Sequence, residues 1–201
     1  AKFEAVFVGG AVRDFLLNRP VHDVDVATSA MPEEVKTVFT KTVDIGIEHG
    51  TVLVLDKGEP VEVTTYRTDG EYADHRRPDG VTFVRSLEED LKRRDFTMNA
   101  IAMDANEHII DLYGGQQDIA QKTIRAVGNP SARFSEDALR MLRAVRFSAQ
   151  LDFTIEQATL EAIKEHAQEI SFVARERIAA EFEKMWISPS TPSSISTKTP
   201  K

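Results

Sequence analysis

The chain has 201 residues, of which 41% are hydrophobic and 29% charged, and it carries a net charge of −8; it is long enough to bury a core in one or two domains. Cysteine is absent, which excludes disulfides and thiolate metal sites and leaves only hard, oxygen-liganded ions as candidate metals. No run of 18 apolar residues occurs, and AKFEAVFV at the start does not have the form of a signal peptide, so no membrane span and a cytoplasmic location are expected.

Residues 3–8 (FEAVFV) predict a strand, Gly9-Gly10 a turn, and AVRDFLLNR a short helix with Leu16 and Leu17 on its apolar side. The next strand carries HDVDV, which places Asp23 and Asp25 on one strand face, roughly 6 to 7 Å apart. Thr28 or Ser29 caps a helix over MPEEVKTVF, with Pro32 and two glutamates in its first turn. TVLVLD and VEVTTYR predict an antiparallel pair joined by KGEP, and Thr68 to Asp79 lacks periodicity and predicts a loop. VTFV is a short strand; Ser86 and Glu89 form a capping box for the helix LEEDLKRRD.

IAMDANEHIID fits either a hairpin or a helix end plus strand, and GGQQDIAQKTI a turn and helix. After NPSARF the pattern is helical only. EDALRMLRAVRFSAQ puts Ala138, Met141, Leu142, Val145 and Ala149 on one stripe, and TIEQATLEAIKEHA and ARERIAAEFEKMW give two further amphipathic helices. The expected organisation is a mixed α/β head over 1–131, a helical part over 132–187 and a disordered Ser/Thr/Pro-rich tail over 188–201.

Four constellations carry chemistry. A glycine pair between strand and helix brings backbone N–H groups close to an anion, and Arg13 adds a phosphate-shaped donor; a tight turn without ligand is the plainer reading. Asp23 and Asp25 repel one another unless a cation lies between them, and beside the glycine turn they suggest a two-metal nucleotidyl-transfer centre. Glu62, on a neighbouring strand, is either a third carboxylate or a solvent-facing residue. In RRDFTMNA, Asp95 caps the helix end or Arg94 reaches a triphosphate or sugar.

The fourth is EDALRMLRAVR. Asp137 and Arg140 lie at i, i+3 on a helix and form a surface salt bridge or, alternatively, an acceptor–donor pair matching the Watson–Crick edge of cytosine or adenine. The net charge argues against a generic nucleic-acid coat, yet KRR at 92–94 and Arg133, Arg140, Arg143 and Arg146 are concentrated basic islands.

GGAVRD, DVDVATSA, TTYRTDGEYADHRRP, EEDLKRRDFTMNAIAMD, IIDLYGG and EDALRMLRAVRF together resemble, in order and spacing, the class II bacterial tRNA nucleotidyltransferases, the CCA-adding enzymes. The resemblance covers about residues 5 to 187. It implies an α+β fold, with a polymerase-beta-like nucleotidyltransferase head of mixed sheet and flanking helices followed by an all-helical neck. It also implies that Gly9, Gly10 and Arg13 contact nucleotide phosphates, that Asp23 and Asp25 are catalytic and ligate two Mg2+ ions, and that Arg94 contacts the nucleotide.

By the same resemblance Asp137 and Arg140 read incoming CTP or ATP, with Arg143 and Arg146 further along the helix, and the acceptor is the tRNA 3′ end. The loop from Asp69 to Pro78 resembles the element used in switching from C to A addition. Members restricted to CC addition typically lack it, so full CCA addition or A addition alone is expected. Such enzymes are roughly twice this length, so the sequence reads as a catalytic fragment. The rivals are a bacterial poly(A) polymerase, which shares the head motifs, and a catalytically silent nucleotide- or RNA-binding module.

Overall fold

The computed structural model describes residues 2–21, 23–56, 58–70 and 80–187. β1 (Ala5–Val8) buries Val6 and Val8 and ends at Gly9, whose φ of +69° turns the chain into α1 (Gly10–Leu16). β2 (Asp25–Thr28) runs antiparallel to β1. Then come α2 (Pro32–Val38), β3 (Thr42–Gly46), β4 (Thr51–Asp56) and β5 (Glu59–Thr65). β6 (Arg67–Asp69) pairs with β7 (Val81–Phe83), and α3 (Leu87–Lys92) follows, capped by Ser86, whose side chain accepts the Glu89 N–H.

IAMDANEHIID resolves as a hairpin, β8 (Ile101–Met103) with β9 (Ile109–Asp111). Beyond it lie α4 (Gly115–Ala120), β10 (Thr123–Ile124), α5 (Pro130–Glu136), α6 (Leu139–Leu151), β11 (Thr154–Ile155), α7 (Gln157–His166) and α8 (Arg175–Ile187). The main sheet has the order β3-β4-β5-β2-β1-β8-β9. Only β2 and β5 pair in parallel within it, so the sheet is mixed and the fold α+β. Among the described residues no helix is long and apolar enough to cross a membrane.

The sheet has two covered faces. On one, Val6, Val8, Ala27 and Ala102 pack beneath Leu87 and Leu91 of α3 and against Tyr66; by strand alternation Asp25 and Glu62 project on this same face. On the other, Val12 of α1 joins Ile101 to a core that continues through Phe96 into Phe134, Met141 and Phe147 of the helices, while Val35 of α2 covers Val52, Val54 and Val63. Phe96 and Phe134 are fully buried, each contributing roughly 1.5–3 kcal/mol. One continuous core therefore fixes α6 against the end of the sheet where β1 turns into α1.

Several expectations are corrected. Asp23 precedes β2 rather than lying on it; β2 pairs with β5 from Asp25 onward and with β1 only from Val26, which faces Phe7. The cap of α2 is Met31, whose N–H donates to Glu34 at 2.7 Å, because Ser29 and Thr28 are taken by Glu4. β3 was not expected, and Thr68 and Asp69 belong to β6. The rest of the predicted loop, residues 71–79, and the predicted tail lie outside the described residues.

The helical region is not purely helical, since β11 pairs in parallel with β10. EDALRMLRAVR is two helices broken at Asp137, which is extended. Its apolar side runs through Leu139, Met141, Ala144 and Phe147, whereas Val145 is 45% exposed.

Gly115 sits where an added Cβ would meet the Thr97 carbonyl at 2.2 Å and the Ile101 side chain at 2.7 Å. Gly115→Ala is expected to destabilise the protein by about 1–3 kcal/mol, read as a lower thermal midpoint by circular dichroism.

Candidate active site

A cavity of about 550 Å3 opens between the Gly9-Gly10 turn, the segment after α3, and the helices α6 and α8. Its volume falls within the range of sites that enclose a whole small ligand. The lining brings together Gly9, Gly10, Arg13, Asp25, Arg94, Asp137, Arg140, Arg143 and Arg146, all expected from the sequence. Asp23, which is exposed, is not on the wall. Arg93, Asp95, Asn99, Leu139, Phe147, Arg177 and Lys184 complete the site. A protein of net charge −8 thus lines one cavity with eight cationic side chains against three carboxylates, a strong local inversion of sign.

At the centre is Asp95, 8% exposed. Its Oδ1 accepts the Phe96 N–H at 2.7 Å and the Asn99 side-chain amide at 3.0 Å, and its Oδ2 accepts Arg143 Nε at 2.8 Å and Nη2 at 2.7 Å. Asn99 accepts in turn from Arg13 Nη1 at 2.8 Å. Burial raises the Asp95 pKa, but Arg143, Asn99 and the Phe96 N–H outweigh it and hold the carboxyl at about 2. Asp95 therefore serves its own backbone, as a cap would, and also ties α1 to α6.

Arg13, Arg143 and Arg146 crowd around the ring of Phe147, with guanidinium carbons 5.0, 5.4 and 4.0 Å from its centroid; the π face offsets part of their mutual repulsion. Glu181 of α8, 3% exposed, takes Arg146 Nε at 2.6 Å and lies 3.8 Å from Arg143 Nη1. Arg94 donates to Asp90 at 3.0 Å and passes so close to Gly9 that a Cβ there would meet its Nη1 at 3.0 Å. Its Nε is buried without a partner.

The two template candidates are not neighbours on one helix. Asp137 accepts Leu139 N–H at 3.1 Å and Arg177 Nη2 at 2.7 Å, while Arg140, 8% exposed, donates to Glu136 at 2.6 Å and to the carbonyls of Arg133 and Arg93, each at 3.2 Å. The break at Asp137 separates them, yet both still reach the same cavity. Arg177, Glu181 and Lys184 escaped the sequence reading, although their spacing of four and three on a helix marks one polar stripe.

Asp25 lies directly across the parallel β2–β5 ladder from Glu62. Burial raises the Asp25 pKa, Arg94 opposes that rise and Asp23 adds to it. Among the described residues no three His, Cys, Asp or Glu side chains gather closely enough to cage a metal ion. Asp23 and Asp25 nevertheless offer two hard oxygen ligands whose like charge favours a shared cation, the donor set with which Mg2+ is held when substrate phosphates complete its shell.

A mixed sheet with a glycine turn, a carboxylate edge and an arginine-lined neck defines the class: the chain belongs to the Poly A polymerase head domain family, matched by residues 5–125, and residues 152–196 match the probable RNA and SrmB-binding site of polymerase A. Within that class it is similar to the CCA-adding enzyme of Leuconostoc citreum (strain KM20), 61% identical over 98% of this chain and 49% of the relative, and to that of Enterococcus faecalis (strain ATCC 700802 / V583), 63% identical over 91% and 45%. The crystal structure of the Bacillus stearothermophilus CCA-adding enzyme in complex with CTP superposes with a TM-score of 0.86 at 53% identity, covering 93% of this chain and 45% of that one. The chain spans about half the length of these relatives.

Because Asp95 is ionised in the folded protein down to about pH 2 and in an unfolded chain only to about pH 3.9, its stabilisation is present above pH 4 and is lost as pH falls toward 2. Asp95→Asn is expected to be less stable near neutrality by about 2 kcal/mol and to show a flatter stability profile between pH 4 and 2. Urea denaturation at each pH checks both.

Proposed function

We propose that this chain is the catalytic part of a CCA-adding tRNA nucleotidyltransferase, with a head over 1–131 and a neck over 132–187, extending the tRNA 3′ end with C, C and A from CTP and ATP and releasing pyrophosphate. The observation that carries this reading is the 550 Å3 cavity with its eight cationic side chains ending at a carboxylate edge. A triphosphate needs that charge, and nucleotidyl transfer needs acids at one end of it.

In this reading the Gly9-Gly10 turn and Arg13 hold the phosphates, and Asn99 keeps Arg13 aimed. Arg94, with its buried unpartnered Nε, binds phosphate or ribose. Arg143 and Arg146, held by Asp95 and Glu181, place positive charge along the nucleotide. Asp23 and Asp25 hold Mg2+, which when bound supplies activation of the attacking hydroxyl and stabilisation of the leaving oxygen.

Base choice falls to Asp137 and Arg140. Their present partners, Arg177 and Glu136, keep both side chains at the cavity wall, and an acceptor beside a donor suits cytosine and adenine while leaving uracil and guanine with unmatched groups.

Single-nucleotide incorporation onto tRNA lacking CCA tests the reading: CTP is added first, and ATP only after two C residues. Repeated ATP addition without C would instead support a poly(A) polymerase. Asp25→Ala is expected to lower incorporation by roughly 10²–10³-fold or more with little change in thermal midpoint, read by circular dichroism. Arg140→Ala should relax selection of CTP over UTP by roughly ten- to a hundredfold; unchanged discrimination would remove its template role.

A further inference from the structure

The main sheet ends at β3, which pairs with β4 on one side and, among the described residues, has no strand on the other. The Leu55 N–H donates to the Lys41 carbonyl at 3.0 Å, so Lys41 and Val43 turn their backbone groups toward β4. Thr42 and Asp44 alternate with them and aim theirs outward. Two N–H and two C=O groups therefore stand ready for another strand.

Edges are commonly protected by charges that discourage a second strand, but the acid of this one is neutralised. Asp44 Oδ2 lies 2.9 Å from Lys36 Nζ on α2, which also fixes the side of the sheet to which Thr42 and Asp44 point. The opposite side is apolar: Val43 faces Leu53 across the ladder, and Leu55 follows two residues along β4. Val43 is 46% and Leu55 38% exposed, because α3 covers this face only over β1, β2 and β8. The bulge of β3 falls between Asp44 and Gly46, past the outward-pointing groups.

The strand that fits this edge is the edge itself. A two-fold axis perpendicular to the sheet at Val43 sets Thr42 of each copy opposite Asp44 of the other, so that all four outward groups of each copy pair and each threonine hydroxyl meets a carboxylate. The two Val43 side chains then meet on the axis as a non-hydrogen-bonded pair, the closest kind, with Leu53 and Leu55 of both copies beside them. A register centred on Asp44 would instead set two carboxylates face to face. We propose that β3 is a self-association edge, through which two copies of this chain join antiparallel into one continuous sheet. The contact is one strand wide, less than the roughly 1,200–2,000 Å2 of standard interfaces, so association is expected at tens to hundreds of micromolar.

Sedimentation velocity of the full chain from about 5 to 500 µM tests this, the sedimentation coefficient being expected to rise toward that of a dimer. Val43→Lys, which sets two lysines opposite one another, should raise the dissociation constant about tenfold or more. Thr42→Pro should do the same, because it removes an outward N–H and leaves the β4 ladder intact; circular dichroism verifies the fold of each. The chain has no cysteine, so single introduced thiols read the register. Val43→Cys should form a disulfide dimer under mild oxidation, since directly opposed Cα atoms lie about 4.5 Å apart. Lys41→Cys should not, because the two thiol-bearing residues would be roughly 13 Å apart along the strands. A chain that stays monomeric at 500 µM, association unaffected by both Val43→Lys and Thr42→Pro, or equal cross-linking of Lys41→Cys and Val43→Cys overturns the inference.

Discussion

The pair between buried Asp95 and half-buried Arg143 is the joint on which the rest of the site depends. Desolvating two charges is expensive, and their attraction compensates only when the remaining hydrogen-bonding capacity is met. Here it is met on the acid side by the Phe96 N–H and Asn99. Asn99 then reaches Arg13 of α1, and Arg143 reaches toward Glu181 of α8. The cavity walls therefore come from segments distant in sequence, and a short chain of directional bonds sets their spacing. An apolar joint of the same size would hold them together without fixing the arginines.

That joint also manages the charge inversion. Seven arginines and a lysine around one cavity repel each other strongly in a partly desolvated space, and the protein answers with buried carboxylates, Asp95 on the cavity wall and Asp90 and Glu181 behind it. Asp90 grips Arg93 and Arg94, Asp95 grips Arg143, and Glu181 grips Arg146. Asp90, Asp95 and Glu181 are all nearly inaccessible. The guanidinium groups are oriented before a ligand arrives, and the unpartnered Nε atoms of Arg67 and Arg94 mark donors that the protein itself does not satisfy.

Local chemistry made much of this legible. The strand–glycine–helix start, the Ser86 cap and the β4–β5 pair follow from nearest neighbours in the chain, and the cavity residues of the glycine turn, RRD and EDALR could be named on sight. What escaped depends on partners far away. Asp23 reads as a strand residue because valines flank it, but pairing with β5 starts only at Asp25 and pairing with β1 only at Val26. β3 was missed because TVDIG is short, carries an acid and a glycine, and lies at the sheet edge, where propensity is weak.

The break at Asp137 shows the same limit in a functional place. A continuous helical pattern runs through EDALRMLRAVR, yet the Asp137 carboxylate takes the Leu139 N–H two residues on, a local bond that competes with helix, while Arg177 of α8 holds its other oxygen. One side chain thus ends α5, starts α6 and is fixed by a third helix. An unbroken helix would place Asp137 and Arg140 one turn apart on a common face and let them neutralise each other. The break instead gives each its own partner, Arg177 for the acid and Glu136 for the base, and keeps acceptor and donor as separate groups on one wall. A sequence pattern built on helical periodicity cannot register that separation, because it is made by α8, some forty residues later in the chain.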